Sequence, residues 1–305
     1  MTLQAFYLII ISIFMHSSWH FLCKSSGRSS MAFFALFSTS LFLTMLPFAL
    51  SSGLPGKIPF QLLIYAFCGG ICGALGNIGF MSAYRYSDIS LAYPMARALP
   101  VFLTMLITTL FGWGKMLTPW AITGMVIIFS GCLLMAFSNG PSGISVREKL
   151  NFLKKGLAGI LLAAAATTAY TIIDKFGIDA MVKYAPKISK IQVAGTYSCI
   201  RESIILSCMW FAVFCCKIRG EEKGILKELV TKYHPYIAGI FAALAYVLIL
   251  VAINSVSNVS FVQAFRQLSL PLSALLGFLI LKEKVSKIRW IALTLIMLGL
   301  FLSLF

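Results

Sequence analysis

Charge is scarce in this chain, and acidic charge scarcest: nine Asp and Glu stand among 305 residues, and 11% of the chain is charged. A domain that faces water is about half apolar and roughly a quarter charged. With 60% hydrophobic residues and a mean hydropathy of +0.93, this chain lacks the polar residues to cover such a surface. That excludes a soluble globular protein and leaves an integral membrane protein. The short alternating segments of a transmembrane barrel are missing as well. Apolar runs of about 20 residues therefore read as spanning helices, since a hydrocarbon core about 30 Å thick needs that many at 1.5 Å each.

Other absences narrow the function. MTLQAFYLII has no basic n-region and no small-residue cleavage site, so it reads as a first span rather than a signal peptide. No P-loop or other nucleotide-binding motif occurs, and no soluble stretch could hold one, which disfavours ATP-driven work. Cys68 and Cys72, like Cys215 and Cys216, have no second pair or histidine to complete a metal site. The eight cysteines lie almost wholly in apolar runs and read as small core-filling residues. His16 and His20, at i, i+4, have a zinc-compatible spacing but no third ligand follows, so they are expected to line a cavity or hydrogen-bond, with Trp19 as an aromatic wall. Neither a metal nor a cofactor is expected.

What is present is a succession of apolar runs, at about 3–23, 31–50, 60–83, 89–111, 117–137, 156–174, 195–216, 236–254, 258–281 and 287–305. The longest connections, 138–155, 175–194 and 217–235, carry Gly, Pro and charge. Two blocks recur in order: HSSWHFLCKSSG (16–27) with ATTAYTIIDKFG (166–177), and SAYRYSDISLAYPMARALP (82–100) with AINSVSNVSFVQAFRQLSL (252–270). The reading is a duplicated five-span unit, residues 1–140 and 156–305 joined by a loop at 141–155. Five is odd, so the second copy enters the membrane upside down. Inverted repeats with a site between them characterise transporters. The expected fold is all-α: ten transmembrane helices as two inverted five-helix repeats around a central cavity.

The net charge of +16 comes from residues in short loops, where they set orientation and meet lipid head groups rather than nucleic acid. Loops after the odd spans hold sixteen Lys and Arg, and loops after the even spans hold six. This places the odd-span loops in the cytoplasm and both termini outside.

The layout resembles the drug/metabolite transporter superfamily, EamA-like branch. The resemblance rests on Trp19 and Lys24 ending span 1, AYRYSDISLAYPMARALP across spans 3 and 4, RQLSLPLSALLGFLILKEK (266–284) and Gly299. It implies a ten-helix carrier of small metabolites with spans 5 and 10 outermost, in some members as a homodimer contact, while the absence of large loops points to a multi-pass protein of a cell inner membrane. One departure is visible: span 9 ends on Lys282-Glu283, whereas span 4 ends on Gly114-Lys115, without the acidic cap.

Ionisable residues inside spans cost about 2.5–3.5 kcal/mol at a helix centre and face a cavity or a partner. Here they are Arg97, Arg201, Glu202 and Arg266, with Asp174 and Asp88 near span ends. Arg97 and Arg266 each lie about seven residues, roughly 10 Å, into spans that start from opposite faces. Pro94 and Pro100 each remove a backbone donor and free a carbonyl, as does Pro271, and freed groups are tolerated only against protein or water. Tyr93 and Arg97 share a face, matched by Gln263, Arg266 and Gln267. The expected substrate site is Arg97, Tyr93, Arg266, Gln263, Gln267, Trp19, His20 and Tyr170, with helix breaks at the three prolines. Arg201 and Glu202, adjacent and about 100° apart, are expected to face different neighbours, with Glu202 first and Asp174 second as proton-coupling residues and a structural ion pair as the equal alternative. Three buried arginines against one buried acid favour an anion or zwitterion, such as an amino acid or an organophosphorus compound. A lipid-linked flippase is the alternative. An enzyme would need clustered catalytic groups that the chain does not show.

Overall fold

The computed structural model describes residues 3–25, 30–86, 89–138, 146–215, 221–272 and 286–305. Among them the chain is helical throughout, as α1 (Leu3–Ser25), α2 (Met31–Ser52), α3 (Phe60–Tyr86), α4 (Ile89–Leu110), α5 (Pro119–Ser138) and α6 (Val146–Tyr184). There follow α7 (Lys190–Cys215), α8 (Glu221–Val230), α9 (His234–Asn254), α10 (Ser260–Phe265) with a 3-10 turn at Arg266–Leu268, and α11 (Lys287–Leu302). Helix is what an apolar chain must form in lipid, because only there does each segment satisfy its own backbone. Met31–Ser52, Phe60–Ala83, Gly156–Tyr184, Lys190–Cys215 and His234–Asn254 are long and apolar enough to cross a bilayer, which marks a membrane protein. Shorter apolar helices occupy Leu3–Trp19, Pro94–Leu110 and Pro119–Met135.

Element ends follow local chemistry. Ser30 caps α2 by accepting the Phe33 amide at 3.1 Å, and Gly53 closes it with φ 64°, a conformation that suits a residue without Cβ. Ser286 caps α11 by accepting the Arg289 amide at 3.2 Å.

Several expectations need correction. Residues 146–155, expected within a connecting loop, are the first turns of α6, a helix of 39 residues and about 58 Å. The 217–235 connection contains α8. Pro94 and Pro100 lie inside α4, which runs on through both without a break. The interruption falls instead just before Pro271, where α10 gives way to the 3-10 turn. Residues 273–281 of the expected ninth span, and Asp88, lie outside the described residues.

Packing divides the chain into two compact units, each drawing on both halves of the sequence: residues 1–77 with 169–255, and residues 78–168 with 256–305. In the first, α2 packs on α7 and α9, and α1 packs on α9. Gly239 gives α9 that approach, since a Cβ there would stand 2.6 Å from the Phe37 carbonyl oxygen. In the second, α5 and α11 lie against each other through Gly124 and Gly299, where a Cβ on either would stand 2.5 Å from the other's carbonyl oxygen. Gly79 and Ala83 meet Gly159 and Ala163 in the same manner, with a Cβ on Gly79 at 2.5 Å from the Ala163 nitrogen. Lipid tails are as apolar as side chains, so such backbone contact supplies the packing energy that water exclusion supplies elsewhere.

Candidate functional site

In the first unit the chemistry gathers on Arg201 of α7. Its Nη1 lies 2.6 Å from Glu202 Oε1 and its Nε 3.4 Å from Asp174 Oδ2. Tyr170 of α6 and Tyr246 of α9 cover the guanidinium, with ring centroids 4.7 and 4.6 Å from Cζ. Asp174 also accepts the Tyr197 hydroxyl at 2.7 Å and the Tyr246 hydroxyl on its other oxygen. Asp174 is fully buried, and Arg201 and Glu202 are 4% and 3% exposed. The site exists because α3 has no side chain there: a Cβ on Gly69 would stand 2.6 Å from Asp174 Oδ1, and one on Gly73 2.9 Å from Arg201 Nη2. A guanidinium suits such a place, since its edge serves carboxylates while its faces stack on rings.

This arrangement overturns two expectations. Arg201 and Glu202 do meet, because a side chain as long as arginine folds back across the 100° between neighbours. Asp174 is a second deeply buried acid, so the arginine excess is smaller than the residue count implied, and Arg201 is occupied within the protein. Next to Asp174, Lys175 pairs with Asp179 at 2.9 Å and donates to the Ile253 carbonyl at 3.0 Å, closing the end of α9.

In the second unit, α4 meets α10, and the 3-10 turn meets α11. Arg97 and Arg266 are 6% and 5% exposed, which rules out side chains that snorkel to an aqueous edge. Arg97 Nη2 donates to Ser269 Oγ at 2.8 Å, and that hydroxyl donates to the Arg266 carbonyl at 2.8 Å. The second bond serves a carbonyl at the irregular turn beside Pro271. Gln267 Nε2 donates to the Gln263 carbonyl at 3.1 Å, which leaves Gln267 Oε1 buried without a donor. Thr104 Oγ1 is buried and unbonded as well, while Thr108 and Ser260 share a hydroxyl bond of 2.9 Å. Buried polar atoms without partners are uncommon and call for water or a ligand.

The expected site residues thus fall into separate groups. Arg97, Arg266, Gln263 and Gln267 belong to one unit, and Tyr170, Asp174 and Glu202 gather in the other. Trp19 bonds His16 Nδ1 through Nε1 at 2.9 Å and packs on Phe37 of α2 at 5.3 Å. The side chains of Tyr93 and His20 lie outside the described residues. The sequence reading missed Tyr197, Tyr246 and Ser269. Tyr197 stands one turn before Arg201, and Tyr246 is the one hydroxyl in AALAYVLILVAI, so both had a visible signal.

No family model matches the chain, and no curated protein matches it. A solved structure described as "Crystal structure of protein" is similar to it with a TM-score of 0.67 and 15% identity, covering 98% of this chain and 96% of its own. That likeness concerns the fold alone.

Proposed function

We propose that this protein is a secondary active transporter of small polar metabolites, anionic or zwitterionic, such as amino acids or organophosphorus compounds. It works by alternating access as ten spans in two inverted repeats, 1–140 and 156–305, in a cell inner membrane, with α5 and α11 offering a homodimer contact. The observation that carries this reading is the Arg97–Ser269–Arg266 linkage between α4 and the irregular turn after α10. Guanidinium groups are expensive in an apolar protein and are retained where they meet a polar or anionic partner. Gln267 Oε1 and Thr104 Oγ1, buried and unbonded in the same two elements, add an acceptor and a hydroxyl that a polar solute would satisfy. A 3-10 stretch within a helix is also a common hinge, and here it carries Arg266.

Flux into proteoliposomes tests the proposal. Arg97→Gln and Arg266→Gln are each expected to lower uptake of the best water-soluble solute at least tenfold, with thermal melting within a few degrees of the parent. Wild-type flux in both variants overturns the reading. Movement of a lipid-linked probe without any solute flux puts a flippase in its place.

A further inference from the structure

The Arg201 cluster holds one guanidinium against two carboxylates, and the two acids are not treated alike. Asp174 is engaged at both oxygens: Tyr197 donates to Oδ1, Tyr246 donates to Oδ2, and the Arg201 guanidinium also faces Oδ2. Among the described residues Glu202 has one donor, Arg201 Nη1 at 2.6 Å on Oε1, and none reaches Oε2. One guanidinium offsets only one of two carboxylates, so one negative charge is left in an apolar surrounding unless a proton joins the cluster. A second observation points the same way. Ser198 sits one turn before Glu202 on the same face of α7, is fully buried, and its hydroxyl has no partner. The Ser198 hydroxyl makes no hydrogen bond to Glu202 here, so a protonated Oε2 would turn toward it to donate.

We propose that Asp174, Arg201 and Glu202 form a proton-binding site in which Glu202 carries one exchangeable proton, with Ser198 as its hydrogen-bond partner. On uptake an O–H bond forms at Oε2 and the cluster becomes neutral; on release the proton passes to water and one negative charge remains. Arg201 then serves two ionised acids, so loss of the proton draws its guanidinium toward Glu202 and loosens its hold on Asp174. The groups facing Glu202 are few. Among the described residues these are Arg201 and Cys199 on its own helix and Asp174 on α6; Tyr197, Tyr246, Tyr170 and Cys72 lie against Asp174 and Arg201 instead, and α2 has no titratable residue. None of these brings a second cation. Use of the proton to drive solute movement rests on the transport reading above; the site itself does not.

Infrared difference spectroscopy of the purified chain across a pH titration reads the proton directly. A carboxylic-acid carbonyl band at the high frequency of an apolar setting is expected, moved by carboxyl-13C glutamate and unmoved by carboxyl-13C aspartate. It should vanish in Glu202→Gln and shift in frequency in Ser198→Ala, which removes its hydrogen-bond acceptor. A band that follows the aspartate label, a band retained in Glu202→Gln, or no such band overturns the proposal. The isotope comparison uses the unaltered chain, so a band that follows the aspartate label overturns the proposal even if a variant fails to fold. Proteoliposome flux is read separately: an intact Glu202 band with no solute flux removes the transport reading and leaves the proton site standing.

Discussion

Arg201 joins residues from three helices through charge and ring faces, so its loss has a predictable sign. Arg201→Met would leave Asp174 and Glu202 buried without their guanidinium. Removing one partner of a buried ion pair costs about 3–5 kcal/mol, so the melting temperature of the detergent-solubilised variant should fall clearly below that of the parent. Arg201→Lys is expected to recover part of the loss and no more, because an ammonium cannot serve two carboxylates and stack between Tyr170 and Tyr246 at once. An unchanged melting temperature in Arg201→Met would show that the ion pairs do not stabilise the fold. At this scale the residue types were visible in the sequence and their partners were not. The adjacency of Arg201 and Glu202 argued against their contact, because helical angle describes Cβ directions and ignores the reach of a long side chain.

Among the elements, glycine spacing was the most legible feature. The run CGGICGALGNIG spaces glycines three to four apart, the pattern of a helix packing face, and Gly69, Gly70, Gly73 and Gly79 each bring α3 against a neighbour closely enough that a Cβ would collide. The α5–α11 contact repeats the device at Gly124 and Gly299. Leucine at either position is expected to cost about 1–3 kcal/mol or more through forced separation of the helices, measurable as a lower melting temperature or a lost folded yield. Normal melting in both variants would mean the two helices do not need this contact. The length of α6 was not legible, because charge in VREKLNFLKK was read as a loop. Glu, Lys and Leu are good helix formers, and a helix can run past the apolar core into the polar zone. The interruption near Pro271 was partly legible: the proline was seen, but Pro94 and Pro100 carry the same signal and α4 continues through both. Whether a proline breaks a helix depends on what its neighbours offer the freed carbonyls, and those neighbours are distant in sequence.

For the whole molecule, the loop charge count makes a directional prediction. In a cysteine-free background, Lys57→Cys and Lys187→Cys, which follow even spans, should react with a membrane-impermeant thiol reagent from outside. Lys232→Cys, which follows an odd span, should react only after permeabilisation. Labelling of all three from one side would defeat the inverted-repeat reading, since five spans per repeat, as proposed, would place these loops on opposite faces.

Sequence alone determined that this is a helical membrane protein and where most of its apolar helices lie, because hydropathy is a property of contiguous residues. It also identified the rare charged residues, since any charge stands out in an apolar run. Tertiary structure decided which charges are already satisfied. Arg97 finds Ser269 across 172 positions and Asp174 finds Tyr246 across 72. Such pairings depend on which helix faces meet, and in an apolar chain no local pattern distinguishes the face that meets protein from the face that meets lipid.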